Sequence, residues 1–219
     1  YRQTPEYQKE HFWMELNDFK YIFFWEWFHR FWGRLIGLVY AFPLAFFWFK
    51  GWIPSHFKTK LLGLLALGGA QAVMGWYMVE SGLIDIPSVS HYRLAMHLGL
   101  AFIIFIALVW VGYQIRLYDK TPVSERKRSL KIHYWACWAM LGITIIWGAF
   151  VAGLDAGLVY NTWPLMGKNL IPTETFTAHS IFTDPVWVQF FHRWIAIVSS
   201  MIIVAFAWRT QDALIALAM

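Results

Sequence analysis

Five stretches of this chain, near residues 19–49, 59–79, 91–116, 132–152 and 185–208, stay apolar over the roughly 20 residues that a helix needs to cross a bilayer. In hydrocarbon a peptide group finds its partner within its own segment, so stretches of this length fold as helices. The fold class expected is an all-α polytopic membrane protein. The residue balance agrees: the chain is 59% hydrophobic and 20% aromatic but only 14% charged, against about 25% charged for a soluble domain. A net charge of +5 does not point to nucleic acid, because the lysines and arginines gather in connections, as membrane topology requires. Cys137 is the sole cysteine and lies in an apolar segment, so no intrachain disulfide is possible. The polar start YRQTPEYQKEH has no signal-peptide pattern and reads as the middle of a longer chain.

Residues 1–18 are a polar lead-in, partly helical, expected at the interface. A first half-bundle of three spans covers 19–116, with a kink at Pro43 and a second span rich in small residues (Gly63, Gly68, Gly69, Ala70, Gly75) that allow close helix packing. A charged connection, 117–131, separates it from a second half over 132–219. The longest connection, 153–183, is of a length that is usually functional. The ending Asp212-ALIALAM reads as the start of a sixth span. Lys50, Lys58, Lys60, Arg116, the basic run up to Lys131 and Arg209 fall on one side, which is therefore the inner one. The N-terminus, the 81–90 loop and the 153–183 loop lie outside, so every second span begins there.

Function is concentrated where ionisable groups enter those outward-starting spans, since such groups are costly in hydrocarbon and rare without a purpose. FFWEWFHRFWGRLIG carries Glu26, His29, Arg30 and Arg34, RLAMHLG carries Arg93 and His97, and VQFFHRW carries His192 and Arg193. The three histidines fall six to ten residues from the expected helix starts, about 9–15 Å in at 1.5 Å per residue. His29 and His97 lie on parallel helices, and two such imidazoles can hold one haem iron from opposite faces. Arg30, Arg34, Arg93 and Arg193 would pair with haem propionates, or else snorkel to lipid headgroups. The bland reading of His29 is a histidine bonded to a neighbouring helix.

Phe28-His29-Arg30-Phe31-Trp32 echoes Phe191-His192-Arg193-Trp194, which suggests two pseudo-equivalent halves, each with a cofactor site. Three residues before the histidine the first half has Glu26 and the second Gln189. A carboxylate can take up a proton or stabilise a developing cation, whereas an amide is a poor base. The first site therefore reads as reactive and the second as an electron-transfer site. Glu80-Ser81-Gly82-Leu83 and Asp155-Ala156-Gly157-Leu158 form a second echo at helix ends, read first as glycine C-caps. His11, His56, His133 and His179 are expected to be solvated, with His91, close to His97, the exception. The many tryptophans and phenylalanines are expected to face lipid or pack, rather than relay electrons.

The motifs EWFHRFWGRLIGLVY, GWYMVESGL, VSHYRLAMHLG, GAFVAGLDAGLVYNTWPLMG and VQFFHR, spread over nearly all of 19–195, resemble the haem A synthase family of cytochrome oxidase assembly. The likeness is to its proteobacterial and mitochondrial branch, for the outer-loop cysteine pair of some other members is absent. The resemblance implies two pseudo-symmetric four-helix bundles, here incomplete at both ends: the family's first helix is missing and the chain stops at the start of the seventh. It implies haem O as substrate between His29 and His97, and haem B as cofactor through His192 and a further histidine on the last helix. Glu26 matches the family's catalytic glutamate, which would stabilise a carbocation-like species or accept a proton as water adds. The implied reaction oxidises a haem O methyl group to formyl, giving haem A, in the bacterial plasma membrane or mitochondrial inner membrane. The implied partners are a haem O synthase and an electron-transfer protein, with homo-oligomers open. The alternatives are a non-catalytic di-haem electron-transfer cytochrome and a scaffold that carries haem unaltered; a transporter fits less well, because the ionisable groups sit at one leaflet.

Overall fold

The computed structural model describes the backbone of residues 2–3, 5–9, 11–80, 89–118 and 128–218, and the side chains of all of these except 5, 6, 80, 128, 129 and 211–218. Its elements are α1 (Pro5–Lys9), α2 (Leu16–Phe49), α3 (Ser55–Glu80), α4 (His91–Arg116), α5 (Arg128–Gly153), a 3-10 turn (Ala156–Leu158), α6 (Ser180–Thr183) and α7 (Pro185–Ala218). Among the described residues the only strand-like pairing is an isolated bridge between Met166 and Asn169. Among the described residues, five helices are long and apolar enough to span a bilayer, in the five places where the apolar runs lie. The chain is an all-α, multi-pass membrane protein.

Two boundaries differ from the sequence expectation. Helix α2 begins at Leu16, three residues inside the polar lead-in, because Asp18 Oδ2 accepts the Glu15 backbone N–H at 3.1 Å and closes the first turn. It then continues through Pro43 to Phe49. The break expected before Asp212 is absent, and α7 runs on to Ala218. Residues 208–218 contain neither glycine nor proline, so nothing local stops the helix.

The chain divides into two compact units, Tyr1–Val89 with Leu100–Lys120, and Ser90–Gly99 with Thr121–Met219. In the first, Lys50 to Pro54 turns α2 back along α3, with Gly51 at φ +69°, a conformation glycine adopts without strain. Trp52 stacks on Phe47 at 5.8 Å and closes the turn. Higher up, the Tyr40 hydroxyl donates to the Leu61 carbonyl at 2.9 Å, tying the two helices. Lys60 Nζ donates to Gln114 Oε1 at 2.6 Å, joining α3 to the end of α4. Its ammonium also lies 5.6 Å from the Trp110 ring centroid, so both bond and cation–π contact answer the charge.

The second unit is built on α5 and α7. Ala149, Phe150, Val188, Ala156 and Ala95 form its buried core, so the first turns of α4 pack here. Small residues bring the backbones together. A Cβ built on Gly153 would lie 2.7 Å from both Cα and Cβ of His91. The left-handed residue after α5 is Asp155 (φ 50°), so the cap expected at Gly157 is made two residues earlier by an aspartate, a residue whose short polar side chain tolerates that conformation. The matching stretch Ser81–Leu83 lies outside the described residues, as does the charged connection at 119–127.

Gly153→Ala should therefore destabilise the second unit by roughly 1–3 kcal/mol, because backbone atoms of His91 cannot yield as a side-chain tip would. Gly142→Ala, where an added Cβ meets nothing within 4 Å, is the control and should be neutral or mildly stabilising. Apparent Tm in detergent measures both.

Candidate functional site

In the first unit, α2 carries Glu26, His29, Arg30 and Arg34, all exposed. Arg30 Nη2 donates to Glu26 Oε2 at 3.0 Å, an i,i+4 pair with each side chain 53% exposed. The carboxylate read as reactive is thus already opposite the guanidinium read as a propionate partner. The helix period places Arg30, four residues on, over the same face as Glu26. Because α2 starts early, His29 lies 13 residues after Leu16, against six after His91 for His97 and seven after Pro185 for His192. Distance from the helix start, about 20 Å for His29 and 9–11 Å for the others, is therefore not a shared depth marker.

In the second unit, α4 supplies half-buried Arg93 and His97, and α7 supplies His192 and Arg193. The His192 ring is half-buried, with Nδ1 wholly buried and without a hydrogen-bond partner among the described residues. Gly148 of α5 faces it: a Cβ there would lie 3.4 Å from His192 Cε1, so the ring lies against bare backbone. His91 is indeed half-buried, edge-on to Phe150 at 5.4 Å.

Arg193 and Gln189 reach into the 153–183 connection. Arg193 Nη1 donates to the carbonyls of Thr162 (2.9 Å) and Leu165 (3.0 Å) and to Met166 Sδ (3.3 Å). Its Nη2 donates to the Tyr160 carbonyl at 2.6 Å. Gln189 Nε2 donates to the same Tyr160 carbonyl (2.9 Å) and to that of Gly157 (3.3 Å). The sequence reading placed Arg193 toward propionates and Gln189 as an inert counterpart of Glu26; both are loop ligands. The spacing of four residues on α7 was the available signal.

Two further groups escaped sequence reasoning. The Tyr160 hydroxyl donates to Glu174 Oε1 at 2.7 Å, closing the connection on itself. That bond holds the Glu174 carboxyl below its ordinary range, and it lifts the Tyr160 phenol above its own. His133, expected to be solvated, bridges α5 to α7: Nε2 meets the Ile202 carbonyl at 2.9 Å and Nδ1 meets Arg209 Nη1 at 3.2 Å. Both contacts are satisfied when Nε2 carries the proton and Nδ1 accepts from the guanidinium. His56 stacks on Tyr118 at 4.7 Å. A concavity of about 380 Å³ among residues 2–19 includes none of the candidate residues.

These features define a class: a multi-pass helical membrane protein with ionisable side chains inside its first, third and fifth apolar helices and its longest connection pinned to the last of these. Residues 1–216 match the COX15-CtaA family model, described as cytochrome oxidase assembly protein, and the chain belongs to that family. It is 48% identical to heme A synthase of Rhodospirillum centenum across 95% of this chain and 57% of that protein. It is 44% identical to heme A synthase of Maricaulis maris, across 95% of this chain and 62% of the relative. The heme A synthase of Brucella ovis is also 44% identical, across 90% of this chain and 55% of the relative. The chain thus spans between half and two thirds of the length of these relatives. No solved structure matches it.

The Tyr160–Glu174 bond sets a pH window. A depressed carboxyl contributes stability above its unfolded value, about 4.3, and loses it as pH falls through the folded one; a raised phenol contributes below its unfolded value, about 10, and loses it as pH rises further. Amide exchange over 157–176, corrected for its intrinsic pH dependence, should be flat between those limits and rise outside them. Tyr160→Phe should raise exchange inside the window and flatten the profile.

Proposed function

We propose that this chain forms part of a haem A synthase, a membrane oxidoreductase that converts a methyl group of haem O to a formyl group and so makes haem A for cytochrome oxidase. The observation that carries this reading is the family match over residues 1–216, joined to 44–48% identity with relatives bearing that name. In this reading His29 and His97 are the iron ligands of the substrate, an assignment resting on their sequence positions. Glu26 acts at the reacting carbon, holding or taking up a proton at its carboxylate. Arg30 orients that carboxylate until substrate arrives, given their 3.0 Å pair. Arg34 and Arg93 remain as propionate partners, with Arg30 joining them if its pair opens. Four loop acceptors already occupy the Arg193 guanidinium, so its part in propionate pairing would require these bonds to yield.

His192 is the chain's ligand for the haem B cofactor, which when bound supplies one-electron transfer. The fit rests on the donor chemistry. Among the described residues no three His, Cys, Asp or Glu side chains converge as a bare-ion site, but a porphyrin asks the protein for only one or two axial ligands. A half-buried imidazole against Gly148, with a nitrogen lacking a protein partner, supplies one. The site of action is the bacterial plasma membrane or the mitochondrial inner membrane. A haem O synthase would supply substrate, and a redox protein would exchange electrons. Homo-oligomer formation is compatible with this assignment.

Extraction of non-covalent haem from the purified full-length protein, with chromatography and mass spectrometry, tests the reading. Haem O, its hydroxylated form or haem A beside haem B is expected; haem B alone would favour the electron-transfer cytochrome. Glu26→Ala should keep its haem and lose product by about 10²-fold or more, the usual contribution of a positioned acid or base. A cytochrome would be little affected by that change.

A further inference from the structure

In the two copies of the Phe-His-Arg motif, the same helix positions are put to different use. In the first, the residue three before the histidine and the residue one after it, Glu26 and Arg30, bond each other. In the second, Gln189 and Arg193 both turn to the connection and together bond the carbonyls of Gly157, Tyr160, Thr162 and Leu165. Of an amide and a carboxylate, only the amide can do this from position 189. Its NH2 faces two carbonyl oxygens, where a carboxylate would present acceptors to acceptors. Gln189 is also only 5% exposed, so an unanswered charge there would be costly.

We propose that Gln189 and Arg193 are positioning residues that clamp residues 157–166 beside His192 and make that loop a wall of the cofactor site. At about 100° per residue, position 189 lies about 60° around α7 from His192 and position 193 about 100°, both on the same flank. The loop is therefore held along one side of the imidazole, one turn or less from it. The Tyr160 carbonyl accepts from both clamp residues while its hydroxyl bonds Glu174, so the wall is braced from behind. A wall of this kind keeps water from the iron ligand, and solvent access is one of the levers that set a haem potential. The wall role rests on the proposed haem ligation by His192; the clamp itself does not.

The test uses the full-length protein with Gln189→Met, which keeps the shape and removes the donor, Gln189→Glu, which reverses the polarity, and Arg193→Lys, which keeps the charge without the planar fork. Hydrogen–deuterium exchange reads the loop, while haem content, visible spectrum and midpoint potential read the site. Exchange over 157–166 should rise about tenfold or more in Gln189→Glu, the effect of roughly 1.4 kcal/mol of lost bonding. Gln189→Met and Arg193→Lys should show smaller increases. Haem content should stay near wild type while the potential and spectrum shift, in the same rank order as the exchange. Met166→Leu, which removes only the thioether acceptor, should stay near wild type in both readouts. Unchanged exchange in all three clamp variants would overturn the clamp. Faster exchange with an unmoved potential and spectrum would overturn the wall. A His192→Ala protein with wild-type haem content and spectrum would overturn the ligand assignment and the wall together, while the exchange data would still decide the clamp. Gln189→Met carries the test should Gln189→Glu fail to assemble.

Discussion

A peptide group buried in hydrocarbon has no partner except the protein, and most of this molecule follows from that requirement. Five helices meet it internally. The 153–183 connection lies outside the spans and leaves helical geometry over most of its length, so many of its carbonyls find partners elsewhere. Its carbonyls at 157, 160, 162 and 165 are answered from α7 by one amide and one guanidinium. Arginine suits this task, since a planar fork of five donors reaches several acceptors at once. The packing of α5 on α7 then fixes where the clamp stands, with bare backbone at Gly148 meeting His192 and at Gly153 meeting His91.

The same pressure governs the charges. Exposed ion pairs in water contribute about 0–1 kcal/mol, and Glu26–Arg30 at half exposure would count for little in a soluble protein. Against a bilayer its meaning changes, because neither group can be left alone without penalty. Lys60 is handled differently, by one amide oxygen and an indole face. Glu26, Arg30 and Lys60 are thus each matched to a partner of a kind suited to their neighbourhood. The reactive role proposed for Glu26 requires that its match be one that can open.

The two Phe-His-Arg stretches put the same helix positions to different use. Exchanging a carboxylate for an amide three residues before the histidine removes a proton acceptor and creates a donor. The first copy keeps a carboxylate whose charge is balanced within its own helix. The second gives up that chemistry and uses the position for architecture. The asymmetry noticed as a difference in basicity is, in the second unit, a difference in hydrogen-bond polarity.

Five spans and the class of protein were legible from residue order, because a 20-residue apolar run has one stable answer in a membrane. The residues at 26, 29, 97 and 192 became candidates because an ionisable group in such a run stands out against its surroundings. Element ends were less so: Asp18 extended α2 outward, and nothing in 208–218 stopped α7, because local caps and their absence outweigh average hydropathy. What residue order could not decide was which partner each polar side chain would choose. Arg193 had lipid, propionate and backbone open to it, and only the folded path of residues 157–166 brings four acceptors within reach. His133 could have been solvated until α7 presented the Ile202 carbonyl and Arg209 to it. Periodicity selects a face of a helix, but the group that meets that face comes from distant sequence, and tertiary packing alone brings it there.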